Sequence, residues 1–281
     1  MHVFVTGATG YIGSAVVREL IGAGHTVTGL CRSEEKAGKL KAVGAEAVYG
    51  ALEDFDTLRS ASVAADGVIH LAFTNDFSDF DGALALDLGA VQAMGAALEG
   101  SGKPFITTAH ANGAAVDQTV LDMAKRGIRA SVVSLAPSVH GEGDKGFVPL
   151  MINIARAKGC AAYIGNGTNR WPAIHRLDAA VLYRLALESA PAGSRLLGAG
   201  DEGIELREIA GVIARQLNVP AVSITAEEAP AHFGFLGALA ALDITDLYNT
   251  AQASLATRGL VGWQPVQPGL IADLEQGHYF A

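Results

Sequence analysis

The chain has 281 residues, half of them hydrophobic and 17% charged, with 34 glycines and 9 prolines; that composition excludes disordered, collagen-like and linker-dominated proteins. A formal net charge of −9 supplies no field to attract DNA or RNA. Two cysteines, Cys31 and Cys160, cannot build a disulfide scaffold and lack C-x-x-C spacing, which points to a reducing cytoplasm and away from zinc or iron–sulfur sites.

Up to about residue 135, short β-branched runs alternate with helical patterns, the signal for a doubly wound, mostly parallel α/β sheet. The predicted strands are His2–Thr6, Thr26–Cys31, Ala45–Gly50, Gly67–Ala72, Pro104–Ala109 and Ala130–Leu135. The first is not part of a signal peptide, because Gly7 and Gly10 interrupt the apolar run and no basic stretch precedes it. After it, Ile12, Val16, Leu20 and Ala23 recur at helical spacing, and Gly24 supplies a stop. Ser33 is the expected N-cap of a helix to Val43, and the acids Glu53, Asp54 and Asp56 read as a solvated helix start. Leu84–Leu98 is a nearly uncharged helix, expected to be covered by the sheet or by another subunit, and Val116–Arg126 is a helix ending at Gly127.

From Gly141 the pattern changes. A Gly-rich loop to Pro149 precedes a helix Leu150–Lys158, a loop Gly165–Pro172, helices Asp178–Glu188 and Leu206–Leu217, and a tail broken by Gly and Pro. The expected organisation is a dinucleotide-binding domain over residues 1–140, to which later strands around 160–198 contribute, and a smaller substrate lobe mainly over 141–281. The longest apolar run in the tail, Phe233–Leu242, is closed by Asp243 well short of the roughly 20 residues a bilayer requires, so no membrane partner is expected.

The strongest chemical signal is Gly7, Gly10 and Gly13, a G-x-x-G-x-x-G run between a strand and a helix. Gly7 permits a tight turn, Gly10 lets a pyrophosphate approach the backbone, and Gly13 permits close helix packing. Thr9, Tyr11 and Ile12, within the same loop, join the expected dinucleotide contacts. At the end of the second strand an NAD site would place an acid for the ribose 2′-hydroxyl, whereas this chain has Arg32 and Ser33, suited to a 2′-phosphate. NADP is therefore the expected cofactor, with NAD the alternative.

TGATGYIG, the Arg-Ser pair, GVIHLAF and LAPSVHG together resemble the short-chain dehydrogenase/reductase superfamily, in its extended or atypical branch related to nucleotide-sugar epimerases and dehydratases. The resemblance runs over essentially the whole chain. It implies that Leu52, beside Ala51 where the family usually has Asp, packs on adenine, and that Leu71, Ala72 and Phe73 lie beside the adenosine ribose and pyrophosphate. It places Thr107 and Thr108 near the family's catalytic serine and Pro137 and Ser138 near the nicotinamide amide, and it implies a homodimer.

The family's Tyr-x-x-x-Lys pair is missing: none of Tyr11, Tyr49, Tyr163, Tyr183, Tyr248 and Tyr279 has a lysine four residues on. The stretch from Thr108 to Val132 is also about half the length expected of the family, which indicates either a natural deletion or a loop absent between His110 and Ala111. Candidates for the proton-transfer role are Thr108, His110 and His140, with His175 and Asp178 more readily structural and Trp171 either a pocket wall or ordinary packing. No metal-ligand spacing is present. The resulting expectation is an NADP(H)-dependent oxidoreductase acting on a carbonyl or alcohol of a small or medium organic molecule. The alternatives are an epimerase or dehydratase of a nucleotide sugar, and a non-catalytic NADP-binding sensor or scaffold.

Overall fold

Each β-branched run is long enough to cross a sheet, and the amphipathic segment after it returns the chain for another parallel crossing. The computed structural model describes residues 1–74, 79–110 and 112–280, the Leu247 side chain excepted. In chain order the elements begin with β1 (His2–Thr6), α1 (Tyr11–Gly22), β2 (Thr26–Cys31), α2 (Glu34–Ala42), β3 (Glu46–Tyr49) and α3 (Phe55–Ala64). There follow β4 (Gly67–His70), α4 (Phe80–Leu98), β5 (Pro104–Thr108), α5 (Ala114–Asp122), a 3-10 turn (Met123–Arg126), β6 (Arg129–Leu135), β7 (Ser138–His140) and α6 (Phe147–Lys158). The remainder is β8 (Ala161–Ile164), β9 (Arg170–His175), α7 (Arg176–Ser189), β10 (Ser194–Gly198), β11 (Asp201–Glu205), α8 (Leu206–Leu217), β12 (Ala221–Ile224), α9 (Ala229–Phe233), α10 (Leu236–Ala240), α11 (Ile244–Leu247), α12 (Thr250–Val261) and α13 (Leu270–Glu275).

The main sheet has the order β10-β6-β5-β4-β1-β2-β3. β1 pairs in parallel with both β2 and β4, in register Val3↔Val27 and Val3↔Gly67. Strand order therefore reverses at β1, which is where an open parallel sheet forms a ligand crevice at its carboxyl edge. Val3, Phe4, Val5, Val68, Ile69, Phe105 and Ile106 are fully buried, as strands covered on both faces require.

The chain divides into two units, the first comprising Met1–Ser134, Ala179–Leu196 and Thr257–Trp263, the second Leu135–Asp178, Leu197–Ala256 and Gln264–Ala281. In the first, Phe4, Leu58, Val91, Met94, Phe105 and Val132 belong to one apolar cluster. In the second, Val148, Trp171, Ile204, Leu206, Ile209 and Phe233 belong to another. A three-stranded sheet ordered β11-β9-β7 and a parallel β8–β12 pair lie within it.

The acidic stretch before residue 57 is the helix start it reads as: it opens α3, whose N-cap Asp54 accepts from the Thr57 amide at 3.2 Å. Other local expectations are corrected. The apolar helix expected from Leu84 begins at Phe80, because Asp79 caps it and accepts from the Gly82 amide at 3.0 Å. The loop expected over Gly165–Pro172 ends in strand β9. Pro172 is tolerated there because it faces the bulge in β11 where the register shifts between Asp201 and Ile204. Trp171 is consequently a core residue, 1% exposed and edge-on to Phe147 at 6.0 Å. Asp178, the third residue of α7, is structural: its carboxylate accepts from the amides of Val266 and Gln267, both at 3.0 Å.

Candidate functional site

The cradle is built from the end of β1 outwards. Gly7 holds φ +66°, and a Cβ there would lie 2.7 Å from the Ala72 amide nitrogen; a Cβ on Gly13 would lie 2.0 Å from the Gly7 carbonyl oxygen. Glycine is therefore required at both positions, and Gly13 is needed for the turn itself as much as for packing on the sheet. Gly10 differs: as N-cap of α1 it has an extended backbone, φ −74° and ψ 177°. Among the described residues no side chain caps α1 and no carboxylate stands in its first turn, so its N-terminal amides and dipole present an anion-binding end.

That end opens into a cleft of about 670 Å³. Its lining brings together the sequence candidates Gly7, Thr9, Gly10, Tyr11, Ile12, Gly13, Arg32, Leu52, Leu71, Ala72 and Phe73. Space for a backbone approach, an apolar floor at Leu52 and a cation at Arg32 suit a dinucleotide in size and chemistry. Lys36, Ala51, Glu53 and Thr74 also line the cleft. Lys36 is not evident from the sequence, because only the winding of α2 turns a residue four positions past Arg32 onto the same side. Ser33 is not in the lining; its Oγ caps α2, accepting from the Lys36 amide at 3.4 Å.

The floor of the cleft is fixed from beneath by a buried polar chain. Thr6 Oγ1 accepts from the amides of Leu71 and Ala72, both at 3.2 Å, and lies 2.6 Å from His70 Nδ1. With its lone pairs taken by those amides, the hydroxyl donates to Nδ1. The other ring nitrogen of His70 then carries the proton and donates to Asp87 Oδ1 at 2.9 Å. The result pins the loop after β4 against Gly7.

At the end of β5, Thr108 Oγ1 lies 2.7 Å from the hydroxyl of Tyr183. This tyrosine, 75 positions away in sequence, is fully buried in α7, and burial pushes its phenol pKa up and keeps it protonated. Thr107 is buried with its hydroxyl oxygen unpartnered. His110 stacks on Phe73 at 4.0 Å with an interplanar angle of 25°. Burial lowers the His110 pKa, opposed by Asp87, with His70 lowering it further and Asp117 raising it, so the imidazole is neutral at neutral pH. The expected break between His110 and Ala111 involves Ala111, which lies outside the described residues.

Pro137, Ser138 and His140 belong to the second unit. Ser138 is buried with its hydroxyl unpartnered and registers with Ala173. His140 is fully buried, with Nδ1 2.8 Å from Asp273 Oδ2 and its ring edge-on to His175 at 5.2 Å. His175 Nδ1 accepts the Leu177 amide at 3.2 Å, at the start of α7. Among the described residues no group of three or more His, Cys, Asp or Glu could hold a metal ion, and no helix is long and apolar enough to cross a membrane.

A family model described as NAD(P)H-binding matches residues 7–150. The chain is 45% identical to an uncharacterised protein of Schizosaccharomyces pombe over 301 aligned positions, covering 100% of both. Because 301 positions exceed the 281 residues of this chain, that relative carries residues for which this chain has no counterpart. The present chain is 27% identical, over 83% of its length and 80% of the other's, to the 4-hydroxy-2-methyl-3-oxo-4-farnesyl-3,4-dihydroquinoline-1-oxide ketoreductase of Stigmatella aurantiaca. Among solved structures it is similar in fold to a UDP-glucose-4-epimerase from Stenotrophomonas maltophila with bound NAD and formylated UDP-arabinopyranose. That likeness has TM-score 0.73 and 17% identity and covers 99% and 97% of the two chains.

Proposed function

The chain belongs to the NAD(P)H-binding family, and from that premise we propose that it is a member of the extended, epimerase-like branch of the short-chain dehydrogenase/reductase superfamily and an NADP(H)-dependent oxidoreductase acting on a carbonyl or alcohol of a small or medium organic molecule. The observation that carries this reading is the cleft, which joins a glycine cradle at the α1 N-terminus to two cations, Arg32 and Lys36, beyond the end of β2. The nicotinamide, when bound, supplies the hydride chemistry. The α1 amides would hold the pyrophosphate, Arg32 and Lys36 would meet the 2′-phosphate, and Leu52 would pack on the adenine. Thr108 Oγ1 shares a hydrogen bond with the Tyr183 hydroxyl, which burial keeps protonated; with the tyrosine as donor, Thr108 would hydrogen-bond a substrate oxygen through its own hydroxyl without giving up the proton. His110 would take or give the one proton that accompanies hydride transfer. Because its pKa is lowered, it is a base for alcohol oxidation at neutral pH and a better acid for carbonyl reduction as pH falls.

The ketoreductase relative supports the reductase reading. A second reading, a nucleotide-sugar epimerase, is supported by the whole-chain likeness to an epimerase fold and shares the same hydride chemistry at a carbinol carbon. Turnover assays separate them. A reductase oxidises NADPH in step with loss of a carbonyl substrate, whereas an epimerase interconverts nucleotide sugars with no net change in cofactor. Cofactor binding without either conversion, across a broad carbonyl and nucleotide-sugar panel, would leave the non-catalytic sensor.

A further inference from the structure

Tyr49, the last residue of β3, is in parallel register with Cys31, the last residue of β2, and the Gly50 amide donates to the Cys31 carbonyl at 3.0 Å. This register lays the tyrosine beside the turn from β2 into α2, where its hydroxyl donates to Oε2 of Glu34. Glu34 is the first carboxylate after β2 and opens the first turn of α2 together with Glu35. Glu34 stands in sequence midway between Arg32 and Lys36, where a carboxylate has the wrong sign for a 2′-phosphate and is a good acceptor for a 2′-hydroxyl. Both acids are engaged along the protein surface instead. Glu35 pairs with Lys39 one turn on, at 2.7 Å, and Glu34 is held by Tyr49, while Arg32 and Lys36 line the cleft.

We propose that the Tyr49–Glu34 hydrogen bond is a cofactor-selectivity device, in which the tyrosine draws the Glu34 carboxylate toward β3 and so favours a 2′-phosphorylated dinucleotide over its 2′-hydroxyl counterpart. The device rests on the NADP(H) reading of the cleft. It acts through Glu34, so its effect requires that carboxylate. Tyr49 is half exposed and makes no part of the core, which allows the hydroxyl to be removed without disturbing the sheet.

The test is calorimetric titration of NADPH and NADH into four proteins: the parent, Tyr49→Phe, Glu34→Gln and the double variant. Tyr49→Phe should reduce the ratio of NADPH to NADH affinity about three- to tenfold, by weakening NADPH and strengthening NADH. Glu34→Gln should preserve or raise the ratio, and adding Tyr49→Phe to it should change nothing further. An unchanged ratio in Tyr49→Phe would overturn the device, as would an equal loss in the Glu34→Gln background, since the tyrosine would then act without the carboxylate. The parent's own ratio reports separately on the underlying reading: a parent that favours NADH overturns the NADP(H) assignment whatever Tyr49 does.

Discussion

Gly13 and Gly10 respond to a side chain for different reasons. A Cβ on Gly13 collides with the Gly7 carbonyl at 2.0 Å, whereas the nearest atom to a Cβ on Gly10 is that same oxygen at 3.2 Å. Gly13→Ala should therefore destabilise the fold by about 1 to 3 kcal/mol, read from urea unfolding. Gly10→Val should keep its far-UV circular dichroism and lose dinucleotide binding, because its side chain fills space a pyrophosphate needs; normal affinity in a folded Gly10→Val protein would contradict the cradle. Arg32→Ala should weaken NADPH by about ten- to a hundredfold and NADH much less, as measured by calorimetry. His110→Ala should lower kcat/KM by about 10² with a carbonyl substrate and leave NADPH affinity nearly unchanged; full activity would remove His110 from the chemistry. At this scale the glycines and Arg32 are legible as residues that line the cleft, because backbone freedom and charge next to a strand mark them. Lys36, Tyr49 and Tyr183 are not, since helix winding, strand register and a contact across 75 positions bring them to their partners.

Elements are legible in the sequence where periodicity dominates and obscured where one residue carries the decision. The first two strands and the helix Leu206–Leu217 stand at the expected bounds, whereas Pro172 hid β9 and a single aspartate at position 79 moved the start of α4 by a turn. α4 packs against α3 and α5, so part of its apolar surface finds cover within its own chain. α2 carries an avoidable weakness, Gly38 in its interior. That glycine is exposed, with open space around a would-be Cβ and no positive φ. Gly38→Ala should stabilise the protein by about 0.5 to 1 kcal/mol, seen as a higher Tm, without altering NADPH affinity. A lower Tm would mean that α2 is not the regular helix described.

Across the whole molecule, three imidazoles, His110, His175 and His232, have pKa values lowered chiefly by burial. The unfolded chain protonates them near about 6.5, the folded chain only at lower pH. Stability from this source is full above that value and is lost as pH falls through the folded pKa values. Asp117 and Asp144, raised by burial, act in the opposite sense within the carboxylate range. Thermal unfolding should therefore show a lower Tm at about pH 5.5 than at about pH 7.5, and an unchanged or higher Tm would contradict the burial of these rings. The central claim, that the cleft holds a 2′-phosphorylated nicotinamide dinucleotide, is tested most directly by calorimetric titration of the parent protein with NADPH and NADH side by side. The account predicts one site that binds both and binds NADPH more tightly; tighter binding of NADH, or no binding of either, would contradict it.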